Sequence, residues 1–225
     1  MIDIEHLTAS KLAALIDHTF LRPYGRPDDI HRLCQEARTY GFVSVAVNPS
    51  EVVRCVELLD GTPVKVGAAV GFPLGQNTTS VKIYEAEDAI ENGALEIDMV
   101  MNLRALQAGN TDLVRTEFAA LADLCQPQGV VSKVILETCY LDDQAKKLAC
   151  ELALEAGLDF VKTSTGFGEA GATVGDVRLM RAVAGSAMGV KAAGGIRTLD
   201  QALQMLQAGA TRLGTSSGVQ IVTSL

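Results

Sequence analysis

The chain has 225 residues, a formal net charge of −8, and a composition that is 48% hydrophobic but only 4% aromatic, with no Trp. That length suits one α/β barrel or one to two smaller domains, and Ala, Val and Leu must fill the core between helices and sheet. The acidic balance and the shortage of stacking rings argue against a nucleic-acid footprint, and no run of 18 uncharged apolar residues offers a membrane span.

The opening stretch, MIDIEHLTASKLAALIDHTF, is acidic and amphipathic and lacks the basic start and apolar run of a secretory signal. Within it lies the first β-branched or apolar run, Leu15–Thr19, and Asp28–Tyr40 then shows helical amphipathicity. The same alternation repeats to the end. Strand-like runs follow at Val43–Asn48, Val64–Gly71, Leu95–Asn102, Val131–Thr138, Phe160–Thr165, Met188–Gly194 and Arg212–Thr215. Between them lie helical stretches at Ser50–Leu59, Thr79–Asn92, Thr111–Cys125, Asp143–Ala156, Val174–Ala184 and Leu199–Ala208, with a last short one from near Ser217. Gly41, Gly93, Gly157 and Gly209 punctuate helix ends, where glycine takes the left-handed cap conformation. Eight strand–helix units predict a parallel sheet closed into a single (β/α)8 TIM barrel over residues 1–225. An open doubly wound sheet is the rival, but its Gly-x-Gly-x-x-Gly turn is missing after the first strand. The five cysteines are scattered, odd in number and without a Cys-x-x-Cys pair, which points to a reduced, soluble, cytoplasmic protein.

Such a barrel gathers its chemistry at the C-terminal ends of its strands. Three charged residues interrupt apolar strands there: Asp98 in Leu-Glu-Ile-Asp-Met-Val, Lys162 in Asp-Phe-Val-Lys-Thr-Ser-Thr-Gly, and Lys191 in Gly-Val-Lys-Ala-Ala-Gly-Gly. In the bland interpretation they form internal ion bridges, with Asp98 or Glu137 neutralising the lysines; Lys65 and Lys133 show that strand lysines occur elsewhere too. The chemical interpretation uses the adjacency of strands six and seven. An ammonium about 4 Å away contributes roughly 4 kcal/mol at an effective dielectric of about 20, or about three pK units. That brings the second lysine close to neutrality, where it attacks carbonyls, with Asp98 steadying the cation and relaying protons. Spacing alone leaves open which lysine is the nucleophile.

A phosphate site is expected where Gly194-Gly195 follows strand seven and Gly214-Thr215-Ser216-Ser217-Gly218 follows strand eight. Glycine permits close backbone approach there, and hydroxyls and a helix start favour an anion. His6, His18 and His31 are scattered, so no metal site is expected; His18 lies nearest the presumed site. The loop Val70-Gly71-Phe72-Pro73-Leu74-Gly75 is a candidate for shaping the pocket.

These segments resemble the deoxyribose-phosphate aldolase family nearly end to end. The matching pieces are Ile16-Asp17-His18-Thr19, Val70 to Gly75, Glu96-Ile97-Asp98-Met99-Val100, Val134-Ile135-Leu136-Glu137-Thr138, Phe160 to Phe167, and Val190 to Arg197. The resemblance implies Lys162 as the Schiff-base residue, Lys191 as the companion that lowers its pKa, and Asp98 as the proton-relay acid/base. It implies phosphate contacts from Gly194, Gly195, Ser216 and Ser217, with Thr165 and Gly166 bordering the site and Asp17 and Thr19 near substrate hydroxyls. The implied reaction is reversible cleavage of 2-deoxy-D-ribose 5-phosphate to D-glyceraldehyde 3-phosphate and acetaldehyde. The partners are then a small sugar phosphate and aldehydes. No metal or organic cofactor is called for, and a homodimer is compatible with such barrels.

Two departures from the family pattern stand out. Some members carry a C-terminal tyrosine tail, whereas this chain ends Gln220-Ile221-Val222-Thr223-Ser224-Leu225, so that assistance is expected to be absent or replaced. Some have a lysine where this chain has Phe167, which shifts phosphate recognition towards backbone amides. The alternatives are a Schiff-base lyase on a related sugar phosphate, a non-covalent sugar-phosphate isomerase with no need for two strand lysines, and a phosphate-ligand binder without catalysis.

Overall fold

The computed structural model describes residue 2 and residues 4–225. Helix α1 (Ala9–Ala13) leads into β1 (Ile16–Phe20), followed by α2 (Asp29–Tyr40), β2 (Ser44–Val47), α3 (Val52–Leu59), β3 (Lys65–Val70), α4 (Thr79–Glu91) and β4 (Glu96–Val100). Then come α5 (Leu103–Gln107), α6 (Thr111–Cys125), β5 (Val131–Ile135), α7 (Asp143–Glu155), β6 (Phe160–Lys162), α8 (Val174–Ala184), β7 (Gly189–Ala193), α9 (Leu199–Gln207), β8 (Arg212–Thr215) and α10 (Gly218–Thr223). Neighbouring strands run parallel, and β8 pairs with β1 to close the barrel. All eight expected strands are present, in the expected order.

The helices start where local chemistry dictates. Thr198 opens α9 with a capping box, its hydroxyl accepting from the Gln201 N–H while the Gln201 side chain accepts from the Thr198 N–H. Asp142, Thr173 and Asn110 cap α7, α8 and α6 through side-chain oxygens. The short helices α1 and α5 were not expected, because five residues are too few to display a helical period.

Period-two alternation splits each strand between two environments. On β4, Ile97 and Met99 enter the apolar layer beneath the helices, while Glu96 and Asp98 turn inward. Val161, Val190 and Leu213 join that outer layer, packed with helix residues such as Phe118, Leu121, Met180 and Leu206. Burying each such side chain stabilises the fold by about 1.5–3 kcal/mol. The interior of the barrel differs from the branched aliphatic packing usual for this architecture: charged side chains from β1, β4, β5, β6, β7 and β8 meet inside it.

One buried ion pair ties the outer layer to the mouth of the barrel. Lys82 on α4 meets Glu117 on α6 at 2.5 Å, and its amine also donates to the Val100 carbonyl at 2.7 Å. The Asn102 N–H donates to Glu117 and the Gly71 N–H to Glu85, each at 2.8 Å. The C-terminal ends of β3 and β4 are thereby fixed just beyond Asp98. Among the described residues, no helix is long and apolar enough to cross a membrane.

Candidate active site

The strand register places the charges. Asp98 on β4 lies beside Lys133 on β5, and Lys162, Lys191 and Arg212 are in register across β6, β7 and β8. Asp98 accepts from three lysines at once. Its Oδ2 takes Lys162 at 2.8 Å and Lys191 at 2.7 Å, and its Oδ1 takes Lys133 at 2.7 Å. Lys133 also reaches Glu96 at 2.6 Å. Lys191 forms an ion pair with Asp17, which further accepts from Arg212 at 2.6 Å and from the Ser44 hydroxyl at 2.8 Å. Arg212 reaches Glu96 at 3.2 Å and lies over the Phe160 ring.

These groups are almost wholly withdrawn from water, so charge and burial decide their protonation. Burial lowers the Lys162 amine most; the Asp98 carboxylate pulls it back up, and the Lys191 and Lys133 ammoniums push it down, leaving it at about 8. Burial is therefore the main cause of the lowering, and the neighbouring ammonium invoked from sequence adds to it against the larger opposing pull of Asp98. Lys133 is also disfavoured by burial, but Asp98, Glu96 and Asp17 outweigh this and hold it above the ordinary lysine value. Burial likewise opposes an ionised Asp98, yet Lys133, Lys162 and Lys191 keep it well below the carboxylate range.

The structure brings Asp98, Lys162 and Lys191 together and adds Lys133, which from sequence was only an instance of strand lysines occurring elsewhere. Glu96 and Arg212 were likewise missed. Lys65 stands at the rim, partly exposed and 3.9 Å from Glu96. Glu137 neutralises no lysine of this cluster. Its backbone is left-handed (φ 51°), and its carboxylate accepts from the Thr165 hydroxyl and N–H, the latter at 3.2 Å. That bond holds the loop carrying Thr165 and Gly166 against the end of β5. His18 bonds Glu36 on α2 at 2.6 Å, and both stand on the cavity wall that Lys162 also lines.

A cavity of about 540 Å³ opens over the lysine end of this cluster. Lys162, Thr165 and Gly166 line it together with Thr19, Gly194, Gly195 and Ser216. Asp17 and Ser217 do not: Asp17 is buried among its ion partners, and the Ser217 N–H donates to the Thr215 hydroxyl at 2.9 Å. That hydroxyl in turn donates to the Ile196 carbonyl at 2.6 Å, locking the turns after β7 and β8 together. Gly194 has φ +84°, and Gly171 approaches it so closely that a Cβ at Gly171 would lie 2.1 Å from the Gly194 carbonyl oxygen. Arg22, Arg32 and Arg197 line the same cavity, with Asp29 and Glu36; Arg32 is paired with Asp29 at 2.5 Å. Phe167 lines it too, with its ring edge-on to Phe72 at 5.3 Å. The Phe72 loop thus reaches the cavity's wall indirectly.

The arrangement offers a buried amine near neutrality, a carboxylate to steady a cation in its place, and a cavity wall of glycines, hydroxyls and arginines suited to an anion. Comparison with known proteins points the same way. A DeoC/LacD family aldolase model matches residues 11–224. The deoxyribose-phosphate aldolase of Bacteroides thetaiotaomicron is 60% identical over 219 residues, covering 97% of this chain and 92% of that one. That of Aciduliprofundum boonei is 52% identical, covering 97% and 99%. Among solved structures, the deoxyribose phosphate aldolase of Aeropyrum pernix, described as a tetramer, superposes with a TM-score of 0.91 at 36% identity, covering 98% of this chain and 94% of its own.

Proposed function

The chain belongs to the DeoC/LacD family of aldolases, and from that premise we propose that it reversibly cleaves 2-deoxy-D-ribose 5-phosphate through a Schiff base on Lys162. The products are D-glyceraldehyde 3-phosphate and acetaldehyde. One observation carries the proposal: the Lys162 and Lys191 amines share a single Asp98 oxygen beside a cavity lined by Gly194, Gly195 and Ser216.

Lys162, poised at about 8, has a neutral fraction at physiological pH and attacks the C1 aldehyde of the open-chain sugar. Loss of water gives a protonated imine, and its new positive charge lies where Asp98 Oδ2 already accepts from the amine. Removal of the C3 hydroxyl proton then breaks the C2–C3 bond. The electron pair moves into the iminium, forming an enamine, and C3 to C5 leave as glyceraldehyde 3-phosphate. Protonation of the enamine at C2 and hydrolysis release acetaldehyde and restore the lysine. Asp98 is the group placed to relay these protons, since it is ionised and bridges Lys162, Lys191 and Lys133. The 5-phosphate lies against Gly194, Gly195 and Ser216, with Arg22 and Arg197 as cations of the same cavity. Thr19, whose hydroxyl bonds the Asp17 carbonyl at 2.8 Å, faces the sugar from β1. Asp17 acts from beneath by holding Lys191.

The substrate assignment is tested by comparing retro-aldol rates on deoxyribose 5-phosphate and ribose 5-phosphate. Glyceraldehyde 3-phosphate, the product common to both cleavages, is expected to form at a much higher rate from the deoxy sugar. Equal turnover of both sugars would remove the deoxy-sugar assignment, and release from neither would remove the activity.

A further inference from the structure

The buried charges form a closed ring. Asp98 binds Lys133 at 2.7 Å, Lys133 binds Glu96 at 2.6 Å, and Glu96 binds Arg212 at 3.2 Å. Arg212 binds Asp17 at 2.6 Å, Asp17 binds Lys191, and Lys191 returns to Asp98 at 2.7 Å. Three carboxylates alternate with three cations, each cation touching two carboxylates. Lys162 stands outside this ring. It touches Asp98 alone, on the oxygen that Lys191 also occupies. The ring is electrically complete without it, so a protonated Lys162 is the cation in excess within this cluster.

We propose that Glu96 and Arg212, on the side of the ring away from Lys162, are positioning residues that set the protonation of Lys162 through the ring's charge count. The proposal rests on Lys162 being the Schiff-base residue and goes beyond it, because neither Glu96 nor Arg212 lines the cavity. Among the described residues, β1 supplies Asp17 and also His18, which is taken by Glu36; β4 supplies Glu96 and Asp98, β5 Lys133, β6 Lys162 itself, β7 Lys191 and β8 Arg212. β2 supplies only the uncharged Ser44, and β3 only Lys65, whose side chain is 41% exposed and therefore screened by water. Glu137 at the end of β5 is taken by Thr165. Inside the barrel little water screens the ring, so removing one unit charge is felt across it.

Glu96→Gln removes a negative charge, disfavours a protonated Lys162 and lowers the pH at which its amine becomes free. Arg212→Met removes a positive charge and raises that pH. A shift of about one pH unit is expected in each direction. Arg212→Lys keeps the charge and the midpoint, and the double variant Glu96→Gln/Arg212→Met restores the parent's count and midpoint.

The readout is the rate at which acetaldehyde and borohydride modify Lys162, located by mass spectrometry and followed against pH in parent and variants. Opposite shifts in the two single variants, cancelled in the double, are expected. Shifts in the same direction, or none while Lys162 is still modified, overturn the proposal and leave the Schiff-base assignment standing. Absence of modification in the parent overturns that assignment itself. Glu96→Gln is nearly isosteric; should Arg212→Met not fold, an unmoved midpoint in Glu96→Gln alone overturns the proposal.

Discussion

At Lys162, burial favours the neutral amine and Asp98 favours the cation, so the outcome turns on how many other ammoniums Asp98 serves. Lys191→Met takes one of them away. The free-amine midpoint should then rise above about 8 and the rate at neutral pH should fall at least tenfold, as a pH–rate profile will show. A profile superimposable on the parent's would remove Lys191 from that role. The same depressed pKa links to stability. Between about 8 and the ordinary 10.5, the unfolded chain still holds this proton and the folded chain has released it, so this group's contribution to stability rises with pH across that interval. Urea titrations should show the rise in the parent and a flatter dependence in Lys162→Met. Asp98, Lys162 and Lys191 were legible as single charges breaking apolar strands. Lys133, Glu96 and Arg212 were not, because their partners are chosen by closure of the barrel: Arg212 lies 116 positions from Glu96.

Among the elements, the loops between strand ends and helices are held by side chains as well as by backbone bonds, such as that from the Thr163 N–H to the Lys191 carbonyl at 3.0 Å. Thr163 shows how. Its hydroxyl donates to the Ala193 carbonyl and accepts from the Ala193 N–H, each at 3.1 Å, as β6 gives way to the site loop. The strand expected over Phe160–Thr165 ends at Lys162. Strand and helix types were readable from their periods, but strand ends were not, since the bonds made there reach residues distant in sequence, as Thr163 reaches Ala193. Gly171→Ala would force the β6–α8 loop off Gly194. It should raise KM for the phosphorylated sugar about tenfold with a smaller change in kcat, measured by steady-state kinetics. A comparable loss of kcat with unchanged KM would place the defect elsewhere. Lys82→Met leaves Glu117 buried without its partner and should destabilise the fold by about 3–5 kcal/mol in denaturant titration. Lys82→Met/Glu117→Leu, which removes both charges, should cost less; an equal or greater cost would show that the pair is not what holds the strand ends.

For the molecule as a whole, the apolar core is the layer between sheet and helices, and the barrel's axis is given over to charge. An aliphatic composition with scarcely any aromatic rings suits that division, because small side chains let helices pack closely on a tightly curved sheet. The proposed chemistry draws its electron sink from the protonated imine, so exhaustive dialysis against a chelator should leave the retro-aldol rate unchanged. Loss of activity restored by added metal would contradict that. The central claim is that Lys162 becomes covalently bound to the substrate carbonyl, and trapping with acetaldehyde and borohydride tests it most directly. The expected result is a single N-ethyl lysine at Lys162, found by peptide mass spectrometry and absent from Lys162→Ala; an unmodified chain, or modification of Lys191 with Lys162 untouched, would contradict it.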